Sequence, residues 1–286
     1  MYAKFLEIIL NIGLIAGAGK LPKYIISGVN ESGYNISVIG IKNFAKKSDY
    51  PGAKFYYASE LGKILKTLRN NNVTDVCFAG VIKRPDFNSF KPDLKGLKHL
   101  KGLIDAARKG DDALMRYILG MFEKEGFSIV SPQILCKDLL LPEGKLGSIP
   151  MYNSHRLDAD KGVSVARLMG RADIGQSVVV ANGLVLAVEA QEGTDLMLDR
   201  LNELPKEIRG NTQNPRGVLV KAVKPSQDTR IDLPTIGPET IERVSKAGLA
   251  GIVAISEKTL ILDRANVIKL ADRLGVFIVG ITSSEK

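Results

Sequence analysis

The sequence contains no tryptophan and has only two histidines and two cysteines among its 286 residues. With no CxxC pair and so few imidazoles, it lacks the ligand set of an ordinary zinc site. Cys77 and Cys136 lie far apart in apolar contexts, which predicts free thiols in a reducing compartment. No apolar run reaches the roughly 18 residues that a membrane-spanning helix needs. We interpret residues 1–19 as a first strand with its lead-in rather than a signal peptide.

The order of the apolar runs predicts an α/β protein with two domains. Runs at residues 11–16, 36–41 and 73–79, separated by amphipathic helical patterns, predict a Rossmann-like parallel sheet in the N-terminal domain. In the second half, Asn182-Gly183 between two apolar runs predicts a hairpin, so the C-terminal domain is predicted to be mixed α/β. A stretch rich in proline and glycine separates the halves. The predicted division is 1–138 for the first domain, 139–152 for a linker and 153–286 for the catalytic domain.

The net charge of +9 is concentrated in the first half of the chain. Residues 1–150 carry 22 Lys and Arg against 14 Asp and Glu, whereas residues 151–286 carry 18 against 17. An anionic partner is therefore expected to approach the first half, and nucleic acid, an anionic membrane surface or a phosphorylated metabolite would all fit. Phe90–Arg108 places lysines beside leucines. That pattern suits a helix on an anionic membrane surface, and equally an ordinary solvated helix face.

Two strand ends in the first half carry residues suited to binding phosphate. The turn after the first strand reads GAGKLP, and backbone amides at a helix N-terminus can approach an anion there. Pro22 stands where the dinucleotide fingerprint needs its third glycine, so a tight strand–helix turn explains the motif equally well. A Lys-Arg pair follows the third strand. The candidate phosphate contacts are Gly17, Gly19, Lys20, Lys83 and Arg84.

Two acidic segments follow predicted strands in the second half. Residues 227–232 lie between two prolines, and on spacing alone a polar loop with a surface ion pair is the simpler explanation. Residues 189–195 lead into a helix for which Thr194 or Asp195 is predicted as the N-cap. If the two strands are neighbours, their carboxylates converge in a set that suits Mg²⁺ and a diphosphate. The hypothesis is a diphosphate site between the domains, with the cations of the first domain opposite the metal.

Five motifs follow one another along the chain, namely GLIAGAGKLP, FAGVIKRP, KGDDALMR, LAVEAQEGTD and KPSQDTRIDLPTIGP. In this order they resemble the LpxI family of UDP-2,3-diacylglucosamine pyrophosphatases. The resemblance implies Mg²⁺-dependent hydrolysis of UDP-2,3-diacylglucosamine to UMP and 2,3-diacylglucosamine 1-phosphate (lipid X) in lipid A biosynthesis. It also implies a cytoplasmic homodimer in peripheral contact with the inner membrane. The sequence departs from the family pattern at two places. The first turn reads GAG where GGG is expected, and Ser226 stands where glycine is expected. Neither departure removes a charged group.

The resemblance also implies which residues form the site. The family's key acid falls within QDTRIDLPTIG, at Asp228 or Asp232, and we favour Asp228. Asp111 and Asp112 are further candidates, although a helix N-terminus explains acidic residues there without a function. The candidate catalytic residues are Asp228, Asp232 and Arg230, the candidate metal ligands are Asp228, Glu192 and Asp195, and the candidate substrate contacts are Gly17, Gly19, Lys20, Lys83, Arg84 and Thr194.

Two other functions fit parts of the sequence. A nicotinamide-dependent oxidoreductase would suit the Rossmann-like half, but the missing third glycine and the lack of a clear acidic residue ending the second strand argue against it. A nucleic-acid binder would suit the basic charge, but the sequence shows no recognisable binding motif and no interleaved aromatics. Cofactor-dependent absorbance changes would favour the first function, and salt-sensitive binding of nucleic acid would favour the second.

Overall fold

The protein is described by a computed structural model that covers residues 10–84, 90–224, 228–231 and 233–282. Its contacts divide the chain into two compact units, residues 1–137 and 138–286, and each unit has its own main sheet. Among the described residues, no helix is both long and apolar enough to cross a membrane.

The first unit alternates strands and helices around a parallel sheet. Its elements are β1 (Asn11–Ala16), α1 (Leu21–Glu31), β2 (Asn35–Ile41), β3 (Lys54–Tyr56), α2 (Leu61–Asn70), β4 (Asp75–Ala79), α3 (Leu94–Arg108), α4 (Asp111–Lys124), β5 (Ser128–Ile129) and α5 (Pro132–Leu135). The strand order is β3-β2-β1-β4-β5, and every neighbouring pair is parallel. This is a doubly wound order whose direction of winding switches between β1 and β4. The prediction of a Rossmann-like sheet is confirmed.

The central strand β1 is buried because helices cover it. Ile12 and Leu14 have no exposed surface, as expected for a parallel strand whose two faces are both covered. One face of α2, which includes Leu65 and Leu68, is buried as well. A Cβ on Gly13 would lie 2.6 Å from Cδ2 of Leu68, so the missing side chain lets α2 pack closely on β1.

The second unit combines a parallel centre with antiparallel flanks. Its elements are β6 (Gly144–Leu146), α6 (Arg156–Arg171), β7 (Ser177–Ala181), β8 (Leu184–Val188), α7 (Gly193–Arg200), α8 (Lys206–Arg209), β9 (Val218–Lys221), β10 (Thr235–Ile236), α9 (Pro238–Lys246), β11 (Gly251–Ile255), β12 (Leu260–Ile261), α10 (Arg264–Leu274) and β13 (Phe277–Ile281). The main sheet has the order β6-β13-β11-β9-β7-β8. Strands β9, β11 and β13 are parallel to each other, whereas β6 and the β7–β8 hairpin pair antiparallel. The predicted mixed α/β character is confirmed.

The β7–β8 hairpin turns as its Asn-Gly pair predicts. Asn182 and Gly183 have φ angles of +50° and +76°, the left-handed values that this tight turn requires. The buried carboxylate of Asp158 accepts hydrogen bonds from the amides of Asn182 at 3.0 Å and Gly183 at 2.7 Å. Helix α6, which carries Asp158, is thereby attached to the turn.

The stretch 139–152, predicted as a linker, includes a strand of the second sheet. Strand β6 lies at one edge of that sheet and pairs antiparallel with β13. Glycine and proline on both sides obscure this short strand in the sequence, because three residues are too few to show a period. This part of the stretch therefore belongs to the second unit.

Candidate active site

Both acidic segments of the second unit leave its main sheet at one edge. Strand β9 ends at Lys221, which is paired with Ser177, the first residue of β7. Glu189 directly follows β8, the strand on the other side of β7. Because β7 is antiparallel to both neighbours, the C-terminal ends of β8 and β9 lie at the same edge of the sheet. The two segments are thus separated there by the width of one strand.

A buried polar network occupies this edge. Ser177, Glu189 and Lys221 are 0%, 7% and 4% exposed. The ammonium of Lys221 donates to Oγ1 of Thr194 at 3.0 Å and to the backbone carbonyl of Thr235 at 3.1 Å. Oγ1 of Thr194 in turn donates to Oε2 of Glu189 at 3.1 Å and lies 3.0 Å from Oγ of Ser177. A buried cation and a buried anion are therefore joined through one hydroxyl group.

The hydrogen-bonding capacity of the Thr194 hydroxyl is fully used in this network. A hydroxyl has one proton to donate and two lone pairs that accept. Its proton goes to Glu189 and one lone pair receives the Lys221 ammonium, so Ser177 must donate to the other lone pair. A substrate contact through this hydroxyl would have to displace one of the three partners. The role of Thr194 as a substrate contact stays a prediction.

Asp228 forms an ion pair with Arg230 two residues further along the chain. Nε of Arg230 lies 2.9 Å from Oδ1 and 3.1 Å from Oδ2, and Nη2 lies 2.7 Å from Oδ2. The backbone amide of Arg230 also donates to Oδ1 at 3.0 Å. The Asp228 side chain is 16% exposed and that of Arg230 is 41% exposed. The ion pair expected from spacing is thus present, with the guanidinium more accessible than the carboxylate.

Glu192 and Asp195, the other predicted metal ligands, face different arginines. Oε1 of Glu192 accepts from Nη2 of Arg200 at 3.2 Å, and Oε2 accepts from the amide of Ala190 at 3.1 Å. The hydrogen bond from its own backbone amide, followed by that from Arg200, holds the pKa of Glu192 below its usual range. Oδ1 of Asp195 lies 3.6 Å from Nε of Arg243. Each carboxylate is already compensated by a cation.

The N-cap predicted for the helix after β8 is wrong. Helix α7 begins at Gly193, with Glu192 in the capping position and no side-chain cap hydrogen bond. The chain turns earlier than expected because the amide of Gly193 bonds to the carbonyl of Ala190 at 3.2 Å and Gly193 has a φ of +80°. Thr194 and Asp195 therefore lie within the first helical turn.

The described carboxylates do not assemble a metal site by themselves. Within the described ranges, no group of three or more His, Cys, Asp and Glu side chains could hold a metal ion. Asp232, the alternative to Asp228 as the key acid, lies outside the described residues. Mg²⁺ uses one or two carboxylates together with water and substrate phosphates. The predicted magnesium site stays a prediction, and Asp228 is the one predicted ligand on the segment that follows β9.

In the first unit, the two predicted phosphate-binding turns are bonded to each other. The amide of Ala18 donates to the carbonyl of Val81 at 2.9 Å, and the amide of Val81 donates back to Ala18 at 2.8 Å. Gly17 makes this approach possible, because a Cβ there would lie only 2.6 Å from the Val81 carbonyl oxygen. Both turns follow the carboxyl ends of β1 and β4, at the switch point where ligands of doubly wound sheets bind.

The cations of these turns differ in their surroundings. Lys20 and Lys83 are exposed, and Gly19 has a φ of +96° with open space where a Cβ would stand. Arg84 instead donates to the carbonyl of Ala107 near the end of α3, and Nη1 lies 3.8 Å from Oδ1 of Asp111. Asp111 thus has a structural partner at the start of α4. The roles of these residues as phosphate contacts stay predictions.

Sequence reasoning assigned no role to Ser177 and Lys221, and it placed Glu189 only among the acidic residues of segment 189–195. Lys221 gave a signal, since it is a charged residue at the end of the apolar run Val218–Val220. A lysine at the end of a strand is commonly exposed, however, and only the fold shows that this one is buried.

Comparison with known proteins identifies the family. The family models of the LpxI N-terminal domain and the LpxI C-terminal domain match residues 11–139 and 142–279. A protein of Caulobacter vibrioides, UDP-2,3-diacylglucosamine pyrophosphatase LpxI, is 50% identical over 278 residues, which cover 96% of this chain and 99% of that protein. Among solved structures, the UDP-glucose 4-epimerase of Thermus thermophilus in complex with NAD covers 93% of this chain and 84% of its own at 12% identity. Its TM-score of 0.30 is too low to bear on fold or function. Both halves match one family in the expected order, and the chain belongs to the LpxI family.

Proposed function

We propose that this protein hydrolyses UDP-2,3-diacylglucosamine to UMP and 2,3-diacylglucosamine 1-phosphate (lipid X), a step of lipid A biosynthesis. The observation that carries the proposal is 50% identity to a pyrophosphatase of that name across nearly the whole of both chains. In the proposed reaction, water attacks the sugar-proximal phosphorus of the diphosphate. The bond from that phosphorus to the bridging oxygen breaks, and the bridging oxygen leaves with UMP.

The residues of the second unit would supply the groups that this reaction needs. We place Asp228 where it orients the attacking water and accepts its proton, or where it binds a metal ion. Arg230 would neutralise charge that develops on the phosphoryl oxygens, since a guanidinium is well suited to phosphate. Its greater exposure relative to Asp228 supports this assignment. Asp232, outside the described residues, is the alternative acid.

The first unit would hold the diphosphate through its two joined turns. The backbone amides of Gly19 and Lys20 and the exposed side chains of Lys20 and Lys83 offer positive potential at the carboxyl ends of two neighbouring strands. The amides of Gly17 and Ala18, by contrast, already donate to carbonyls at the end of β4 and in the turn after it. Arg84, which lies near Asp111, would add positive potential at longer range. These groups would bind the phosphates without taking part in the cleavage of the bond.

We infer that the reaction uses Mg²⁺. When bound, the ion would neutralise the diphosphate and help to activate the attacking water. Asp228 is the candidate ligand, with Glu192 and Asp195 as further candidates, and substrate phosphates and water would complete the coordination. Removing the metal with EDTA should abolish activity, and an excess of Mg²⁺ should restore it. Full activity in EDTA would exclude the metal.

We also propose that the enzyme is a cytoplasmic homodimer that contacts the inner membrane through α3. The proposed substrate carries two acyl chains, so the enzyme must meet it at a lipid surface. Leu94 and Leu97 on α3 are 89% and 57% exposed, beside the exposed Lys98 and Lys101. Apolar and cationic side chains on one helix face suit an anionic bilayer surface. Light scattering on the purified enzyme tests the dimer, and a mass of one chain would contradict it.

The direct test of the reaction is an assay of products from UDP-2,3-diacylglucosamine. We expect UMP and lipid X in equal amounts, at a rate proportional to enzyme concentration. UDP-glucose provides a control that has the same diphosphate but lacks acyl chains, and we expect little turnover of it. Absence of UMP release, or release of UDP instead, would contradict the proposed function.

A further inference from the structure

The buried ammonium of Lys221 connects the two acidic segments. Thr194, which accepts one of its hydrogen bonds, lies in the first turn of α7 and belongs to the segment that follows β8. Thr235, whose carbonyl accepts another, begins β10 directly after the segment that carries Asp228 and Arg230. One side chain at the end of β9 therefore bonds to Thr194 in the first segment and to Thr235, three residues after the second.

This arrangement is not explained by stability alone. Taking an ammonium and a carboxylate out of water costs several kcal/mol per ion, and apolar side chains of similar size often stabilise a protein equally well. Lys221 and Glu189 are both buried, and the hydroxyl of Thr194 joins them through two hydrogen bonds. Such a network does, however, hold its side chains in one orientation, because hydrogen bonds are directional and each buried polar group needs its partner.

We propose that Lys221 is a positioning residue for the reaction, which sets the geometry of the acidic edge by holding Thr194 and Thr235 at fixed places. Since this rests on the proposed function, the role is to keep Asp228 and Arg230 aligned with the diphosphate. Lys221 is only 4% exposed, so we assign it an effect on the geometry of the residues it binds and not a contact with the substrate. Misplacement of a catalytic group by about 1 Å can cost roughly 100-fold in rate.

Kinetics of three variants test the proposal. Lys221→Met keeps the length of the side chain without its charge, Thr194→Val removes the shared hydroxyl, and Thr194→Ser keeps it. We expect kcat to fall about 100-fold in the first two, with KM changed much less, because alignment and not affinity is lost. The variant that combines Lys221→Met with Thr194→Val should have a kcat no lower than that of either single variant, since the two residues act as a unit. Thr194→Ser should retain most of the activity.

The matched control is Asp158→Asn on α6, whose carboxylate binds the turn after β7, at the end of that strand opposite to Ser177 and Lys221. Asp158 is also a buried charged residue with two hydrogen bonds, but it caps the hairpin turn. This variant should lower the midpoint of thermal unfolding without lowering kcat. If Lys221→Met behaves like this control, losing stability but keeping kcat within about twofold of the wild type, the network is only structural and the proposal is wrong.

Hydrogen exchange separates this proposal from the proposed function. In Lys221→Met, amides in residues 190–200 and in 228–237 should both exchange faster than in the wild type, whereas those of the first unit should not change. This result would support the link between the segments even if the wild type released no UMP. Unchanged exchange in both segments would overturn the proposal, whatever the activity on the substrate.

Discussion

Arg230 binds both carboxylate oxygens of Asp228, with Nε 2.9 Å from Oδ1 and Nη2 2.7 Å from Oδ2. The backbone amide of Arg230 adds a third donor, so the two residues form a closed unit within one turn. Such charge-assisted pairs are strong and directional. The carboxylate is thus oriented before any ligand arrives.

Replacing Asp228 by asparagine should lower kcat about 100-fold, because the group that orients water is lost while the shape is kept. Product release from UDP-2,3-diacylglucosamine measures the effect. Asp173→Asn is the matched control, since Asp173 pairs with Lys224 at 2.8 Å just before the same segment. The control should keep its activity. Full activity of Asp228→Asn would transfer the role to Asp232.

Gly17→Ala should destabilise the first unit. The new methyl would lie 2.6 Å from the carbonyl oxygen of Val81 and 2.9 Å from the carbonyl carbon of Gly80, so the joined turns must separate. We expect a loss of about 1–3 kcal/mol, measured by urea unfolding. Gly120→Ala, in α4 with open space at its Cβ, should instead stabilise by about 0.5–1 kcal/mol. Equal effects of the two substitutions would contradict this account of the turns.

The stability of the first unit should depend on pH through Glu125. Its carboxylate accepts from Lys95 at 2.6 Å and also from Arg69, and these hydrogen bonds hold its pKa below the usual range. A lowered pKa stabilises the fold above the unfolded value of about 4.3, and this contribution is lost as the pH falls through the folded value. Glu125→Gln should therefore lower the unfolding midpoint at pH 7.

Thermal unfolding of Glu125→Gln at several pH values checks this sign. The difference from the wild type should narrow as the pH falls below about 4.3, because the wild-type carboxylate also becomes neutral there. Glu31→Gln is the control, as Glu31 is exposed and has no ion-pair partner among the described residues. A difference that stays constant with pH would show that charge is not the cause.

Membrane contact through α3 should depend on both its leucines and its lysines. Within the part of the chain that the structure describes, no carboxylate pairs with Lys98 or Lys101. Reversing both charges to glutamate should weaken flotation with anionic phospholipid vesicles by about tenfold or more, since each cation near such a surface contributes about 1 kcal/mol. Leu94→Gln with Leu97→Gln should weaken it as well.

Reversal of Lys46 and Lys47, which are exposed in the same unit, is the matched control for net charge. It should leave flotation nearly unchanged. If this pair weakens binding as much as the α3 pair does, the attraction is a property of the overall charge. Equal binding to neutral vesicles would argue against an anionic surface as the partner.

The fold was largely predictable because its main signals are local. Apolar runs of six or seven residues predicted β1, β2 and β4, and the Asn182-Gly183 turn predicted the antiparallel hairpin. The strands that escaped prediction, such as β3 and β6, have three residues each. So short a strand shows no period, and its existence depends on a partner distant in sequence.

The site was less predictable because ion pairs and burial depend on the tertiary fold. The order of strands sufficed to bring the two turns of the first unit together, as expected for neighbouring carboxyl ends. The sequence could not show that Glu192 faces Arg200 while Asp195 faces Arg243, since helix packing decides those partners. Nor could it show that Lys221 is buried against Thr194.

The central claim is tested most directly by hydrolysis in water enriched in ¹⁸O, followed by mass spectrometry of both products. Attack of water on the sugar-proximal phosphorus should place one ¹⁸O atom in the phosphate of lipid X and none in UMP. Label in UMP would show attack on the other phosphorus. If neither product forms, the chain does not cleave UDP-2,3-diacylglucosamine as proposed.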